Sequence, residues 1–414
     1  MNKQTSLRTS SIVDAIFNFN SGRDPERLAM KYSKMAQSPF IFLRGACELF
    51  YEALPDTSLI RDAPLAWCCG DLHFENFGSY KGDNRLVYFD INDYDEAALA
   101  PVTWDMVRLL TSIQCGADAL NATPAQALAV SRSCVEAYRA ALVNGKPLWV
   151  ERETSIGLVN MLFANLEGRE RTAFLDKRTL RKSHRRSLIA DGVKALPASD
   201  EQKKLVGAFM ADFAKTQTNP EFFEVIDIAR RIAGTGSLGV ERFVVLVEGK
   251  GSPDGNYLLD IKEAKPSALA PHLVRLGIGQ PDWADEARRV VSVQNRMQAV
   301  DHAFLHAVKL GGLPCILKGL QPSEDRVSIG EWGKKLDRLK EVVETMGRIL
   351  AWDQLRACGR SGAAGADELI AFAQDGEWAT AMLETSVQMT LTTRQQWKEF
   401  TQAFNGGRFI EPTA

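Results

Sequence analysis

The sequence predicts an α+β protein with a large helical part and a smaller antiparallel β part, and three observations support that expectation. Apolar residues recur at helical spacing over 12–54 and again over 104–219. Between them, the stretch APLAWCCGDLHFENFGSYKGDNRLVYFDINDYDEA breaks short apolar runs with Gly, Asn and Asp. After Pro220, β-branched and apolar runs alternate with glycine-rich connections.

The first segment reads as two or three helices ending near Pro55 and Asp56. The stretch from Ala63 to Ala97 reads as strand, loop, strand, loop. From Trp104 to Asn219, segments such as WDMVRLLTSIQ and AQALAVSRSCVEAYRAALV make the region almost entirely helical. VIDIARRIAGTGSLGVERFVVLVEGKGSPDGNYLLDIKEA then supplies three antiparallel strands, with SPDGN as a hairpin connection. Helical character returns from Trp283 to Val300, followed by two short strands in FLHAVKL and CILKGL, a linker from Pro322 to Asp325, and helices from Glu331 onward. The expected divisions are therefore 1–221, 222–322 and 323–414.

With 414 residues, 45% hydrophobic and 25% charged, the chain can bury a substantial core. A net charge of -2 gives no general attraction to nucleic acid or anionic lipid. Seven cysteines without a CxxC pair point to reduced thiols in a cytoplasmic protein. The first apolar run is broken by Asp14 and Asn18, and no stretch reaches about 18 uninterrupted apolar residues, so neither secretion nor membrane spanning is expected.

Two constellations carry chemistry. Phosphoryl transfer needs a carboxylate to position or deprotonate an acceptor hydroxyl, and hard oxygen ligands for the magnesium that neutralises nucleotide phosphates. GDLHFEN and FDIND contain both. Asp71 is the candidate base, Asn76 a metal ligand reaching back from five residues later, and Asp90, at the end of LVYFD, the second metal ligand. Asp93, Asp95 and Glu96 add acidity beside Asp90, with Asp93 a candidate auxiliary residue. Any one of these residues taken alone reads as a turn former or strand terminator.

GDLHFEN resembles the HGDLHPGN loop of aminoglycoside and choline phosphotransferases within the kinase-like superfamily, and FDINDYDEA resembles their IDF-type metal motif. The resemblance implies a two-lobed protein-kinase-like fold, ATP and Mg2+. It also implies that Asp105 in TWDMVRL holds the catalytic loop through backbone hydrogen bonds. Cys69 stands where that family usually has histidine, and His73 reads as a packing residue outside the metal site.

The second constellation is GTGSLG. Its glycines could open a dinucleotide-binding helix, but VERFVVLVEG follows them and is β-rich, so they belong at a hairpin tip. Such a loop lays backbone N–H groups over phosphates, as the kinase glycine-rich loop does, and assigns Gly234, Thr235, Gly236, Ser237 and Gly239 to nucleotide binding. Lys262 in LLDIKEA stands in the place of the kinase β3 lysine. The acidic partner expected for it lies on the following helix, where Glu286 is available and Gln294 is an uncharged substitute.

In ordinary kinases the glycine loop and lysine precede the catalytic loop, whereas here they follow it, so the order is circularly permuted. GRILAWDQLRACGRSG resembles the helix that leads into the catalytic loop of small-molecule kinases. SPFIFLRGA, GDLHFENFG, FDINDYDEA, GTGSLG and the late GRSG together resemble, over most of the chain, a bacterial family designated a domain of unknown function.

The expected activity is ATP- and magnesium-dependent phosphotransfer to a small-molecule or protein hydroxyl, with Asp71, Asn76 and Asp90 facing Gly234 to Gly239 and Lys262 across a cleft. The alternatives are AMP transfer from an inverted nucleotide and a non-catalytic nucleotide-binding scaffold. A basic run, Lys177, Arg178, Arg181, Lys182, His184, Arg185 and Arg186, reads either as a solvated helix face or as a docking site for an acidic substrate. Arg44 and Arg360 are further candidate phosphate contacts.

Overall fold

The computed structural model describes residues 11–322 and 325–409. Residues 323 and 324 of the expected linker lie outside the described residues. Helices and small antiparallel sheets make up the molecule, as the periodicities require. Among the described residues, no helix is long and apolar enough to cross a membrane. All seven cysteines are free, and six of them are buried.

The N-terminal segment forms helices Ile12–Phe19, Pro25–Met35, Pro39–Gly45 and Cys47–Ala53. Ser11, Asp24 and Ser38 each cap a helix start with a side-chain oxygen, and prolines occupy the first turn of two of these helices, where a missing N–H costs nothing. Strand Leu65–Cys68 then pairs with Ala98–Pro101, and Phe77–Lys81 forms a hairpin with Val87–Ile91. These short strands border the largest core, which includes residues from the long helices Thr103–Cys115, Pro124–Asn144 and Leu336–Ala357.

The β part is a six-stranded antiparallel sheet ordered 306–310, 313–319, 257–263, 242–247, 225–231 and 195–197. Side chains alternate across it with period two. Phe243, Val245, Leu259, Ile261 and Leu317 pack with Val206, Met210 and Phe213 of helix Asp200–Lys215. Arg242, Val244, Leu258, Asp260, Lys262, Ile316 and Lys318 face the other way, into a cavity.

The structure departs from the sequence expectation in two places. The region 104–219 is not almost entirely helical: it contains strand Val150–Glu151, the hairpin of Thr179–Lys182 with Arg185–Leu188, and strand Ala195–Pro197. The basic run is thus a hairpin rather than a helix face. Arg186 is buried in it, bonded to Asp176 at 2.6 Å and Asp254 at 3.0 Å, so tertiary ion pairs override local propensity. The sheet also recruits residues 195–215, so the β part begins well before 222.

Candidate active site

The cavity has a volume of about 430 Å³, and a smaller recess of about 60 Å³ shares part of its wall. The larger volume lies in the range of small-ligand sites. The sheet forms one wall, and the loops after strands Leu65–Cys68 and Val87–Ile91 form much of the opposite one.

The loop from Cys69 to Asn76 is held from behind. Asp105, fully buried, accepts the Cys69 N–H at 2.7 Å and the Gly70 N–H at 3.0 Å. Burial pushes its carboxyl up to about 6, against the stabilising pull of those two N–H groups. Tyr51 donates its hydroxyl to the Gly70 carbonyl. Gly70 has φ +85°, and a Cβ there would lie 2.2 Å from the Glu96 carbonyl oxygen, so only glycine fits. This turn delivers Asp71 to the recess.

Asp71 is ion-paired to the buried Arg108, whose Nε donates at 2.8 Å. Burial raises the Asp71 carboxyl above its ordinary range while Arg108 pulls it back. Asn76 donates its amide N–H to the Asp71 carbonyl at 2.6 Å, which leaves its Oδ1 as an acceptor at the cavity wall. His73 is buried between Arg44 and the Glu75 backbone, and burial keeps it neutral, consistent with a packing role.

The glycine loop connects strands Val225–Arg231 and Arg242–Val247, which pair as a hairpin, and it lies directly opposite Asp71. A Cβ on Gly236 would be 3.0 Å from the Arg44 carbonyl oxygen and 3.9 Å from Asp71 Oδ2. Residues of helix Pro25–Met35 and of the connection before it take up the loop carbonyls. Arg23 donates to Gly236 O at 2.7 Å, Lys31 to the same oxygen at 3.1 Å, the Asp24 N–H to Gly239 O at 2.8 Å and Arg27 to Val240 O at 2.9 Å. Among the described residues, the N–H groups of Gly234, Thr235, Gly236 and Ser237 meet no acceptor. Their residues line both the cavity and the recess, apart from Gly236, which lines the recess alone. Successive unpaired N–H groups around a concavity make an anion cradle.

Lys262 lines both spaces and is ion-paired with Asp95. Burial lowers its pKa, and Asp93 is the strongest influence in the opposite direction. Asp93 itself lies below the ordinary carboxylate range: burial works against the charged form, but Lys262, Lys318, Arg242 and Arg326 outweigh it.

Two assignments from sequence do not match this geometry. Asp90 does not reach the cavity. It is buried in strand Val87–Ile91, its Oδ1 accepts the Ile91 N–H at 2.8 Å, and it faces Asp353 and Arg356 in the interior. The carboxylate at the cavity is Asp93, beyond the strand end. Glu286 does not reach Lys262 either. In the first turn of helix Glu286–Met297, it binds Arg289 at 2.6 Å. Arg289 in turn donates to the carbonyls of Asp95, Ala97 and Lys265, so Glu286 braces the loop that carries the partner of Lys262. Gln294 lines the cavity and donates to Gln298 at 3.0 Å. Arg44 lines both spaces and binds Glu75 at 2.6 Å, whereas the Arg360 carbonyl accepts the Trp67 indole N–H at 3.0 Å.

Sequence reasoning missed Arg108, Lys318, Arg23 and Lys31. Arg108 left a trace, three residues after Asp105 and so one turn along the same helix face. The other three are contributed by long-range packing and carry no local signal.

No curated protein and no solved structure matches the chain. Residues 23–403, which include every cavity residue named above, match a family described as "Uncharacterized protein conserved in bacteria (DUF2252)", and the chain belongs to that family.

Proposed function

We propose that this protein is a magnesium-dependent, ATP-using phosphotransferase of the kinase-like class, with a two-lobed fold in circularly permuted order and a hydroxyl-bearing acceptor. The observation that carries the reading is the convergence of four unpaired loop N–H groups, Lys262, Asn76, Asp93 and Asp71 on one cavity and its recess. Among the described residues no group of three or more His, Cys, Asp or Glu is placed to cage a metal. Asp93 and Asn76 instead suit magnesium, which keeps several waters and takes one or two protein ligands together with phosphate oxygens. The ion supplies charge neutralisation on the transferring phosphates.

The protein's own residues divide the remaining work. The loop N–H groups cradle phosphate oxygens, with the carbonyls of Gly236, Gly239 and Val240 turned away to Arg23, Lys31, Asp24 and Arg27. Lys262 exchanges Asp95 for phosphate. Asp71, oriented by Arg108, accepts the acceptor hydroxyl proton. The permuted order is supported by the segment after helix Leu336–Ala357, where the Ala364 N–H donates to Leu65 O at 2.8 Å, beside the strand that leads into Gly70 and Asp71. Joining the chain there would restore the ordinary kinase order. ATP turnover with a panel of small-molecule hydroxyl acceptors tests the proposal: Asp71→Asn is expected to abolish it with nucleotide affinity kept, and unchanged turnover refutes Asp71 as the base.

AMP transfer from an inverted nucleotide is the second reading. It is favoured by the sheet wall beyond Lys262, where Arg231, Arg242, Asp260 and Lys318 present charge where a base would take an apolar surface.

A further inference from the structure

The cavity wall on the central strands is ionic at its middle. Asp260, fully buried, is bound by Arg231 at 2.5 Å and by Arg242 at 2.6 Å. Lys318 stands directly across from Asp260 in the strand register, on the same face. Both guanidinium groups are spent on Asp260 and on the carbonyls of Gln321 and Ala233. Lys318 has no hydrogen bond or ion pair with any described residue, and it opens to the cavity. Three cations stand against Asp260 on this wall, and Asp93, the other carboxylate acting on Lys318, also answers to Lys262, Arg242 and Arg326, so positive charge is in excess. Burial disfavours the Lys318 ammonium most, Asp93 and then Asp260 favour it, and Arg242 and Arg231 add to the cost.

An unpaired, partly desolvated ammonium beside two fixed guanidinium groups is costly alone and favourable around a compact anion. A phosphate brings close to two negative charges and three acceptor oxygens, and so answers a wall with excess positive charge better than a carboxylate does. We propose that Lys318, backed by Arg231 and Arg242, is a phosphate subsite separate from the Asp93 and Asn76 metal position. This rests on the reading of the cavity as a magnesium–nucleotide site and adds to it that the ligand set carries a phosphate against the sheet. That group comes either from the nucleotide's own terminal phosphate or from a phosphorylated acceptor.

Calorimetric titration of the full-length protein with inorganic phosphate tests the subsite. Lys318→Met is expected to weaken phosphate binding about tenfold, the loss of one charge-assisted contact. Lys318→Arg should stay within about threefold of wild type, because the charge is kept. Equal phosphate affinity in wild type and Lys318→Met overturns the proposal. A second measurement uses unsubstituted protein: saturating phosphate should shield Lys318 from acetic anhydride, read by peptide mass spectrometry, and absence of shielding also overturns it. Competition between phosphate and Mg–ATP identifies the nucleotide as the source, whereas phosphate binding beside a saturating non-hydrolysable ATP analogue identifies the acceptor; either supports the subsite. Asp93→Asn removes the metal carboxylate and one countercharge of Lys318 while Arg231 and Arg242 stay on Asp260, so phosphate binding at this wall should be equal or tighter. Failure of the nucleotide reading, seen as Mg–ATP affinity indifferent to Asp93→Asn, is therefore distinct from failure of the phosphate subsite.

Discussion

Asp90 and Asp93 are three residues apart in one motif and end in opposite environments. Asp90 lies within strand Val87–Ile91, paired to Gly78 of the neighbouring strand, and its side chain turns into the core. There it meets Asp353, and Arg356 binds Asp353 at 2.9 Å while Tyr94 donates to the same carboxyl at 3.3 Å. Burial pushes both carboxyls up, Asp353 well above its ordinary range, and Arg356 opposes the shift at each. Asp93 comes after the strand has ended, faces four cations and stays ionised. One carboxyl is sealed and stabilises the loop's support, and the other is open and available to a ligand. Position relative to the strand end, rather than residue type, separates structure from chemistry here.

Several substitutions sharpen or break that division. The largest effect is expected at Asp71, the acid in the recess: Asp71→Asn should lower turnover by about 10² to 10⁴ while leaving Mg–ATP affinity within a factor of about two. A parallel loss of affinity would place Asp71 with the metal ligands instead. On the sealed side, Asp353→Ala removes the carboxyl that Arg356 and Tyr94 bind, leaves Asp90 as the carboxylate facing Arg356, and should cost about 1 to 3 kcal/mol in urea unfolding, with Mg–ATP affinity unchanged. Lys31→Met leaves the Gly236 carbonyl with Arg23 alone and should weaken ATP binding about tenfold by loosening the cradle, with a smaller effect on the rate at saturating ATP.

The smallest effect is a displacement of a pH profile. Asp71 must be ionised to accept a proton, so kcat/KM falls as pH drops through its pKa. Burial raises that pKa and Arg108 lowers it. Arg108→Met therefore moves the acid limb to higher pH, and an unmoved limb means that Asp71 is not the titrating base.

Much of this arrangement was legible in the sequence where spacing alone constrains geometry. Asp71 and Asn76 share one short loop, so their order and interval place them together. The β-rich run after Gly239 separates a hairpin loop from a helix-opening dinucleotide motif, and the loop lies opposite Asp71 as expected. Asp105 accepts the Cys69 and Gly70 N–H groups, the contact that its resemblance implied. Choosing between Asp90 and Asp93 required the strand's end point, which pairing with Phe77–Lys81 decides. The partner of Lys262 was not legible because Asp95 arrives from 167 residues away. The hairpin in the basic run was missed for the same reason, since Arg186 is fixed by Asp176 and by the distant Asp254.

Titration calorimetry of Mg–ATP into wild type, Asp93→Asn and Asp90→Asn tests the central claim most directly. Asp93→Asn should remove the magnesium dependence of ATP binding, with a loss of at least about tenfold in affinity, while Asp90→Asn binds as wild type does. Magnesium-dependent binding that survives Asp93→Asn and disappears in Asp90→Asn would contradict the account.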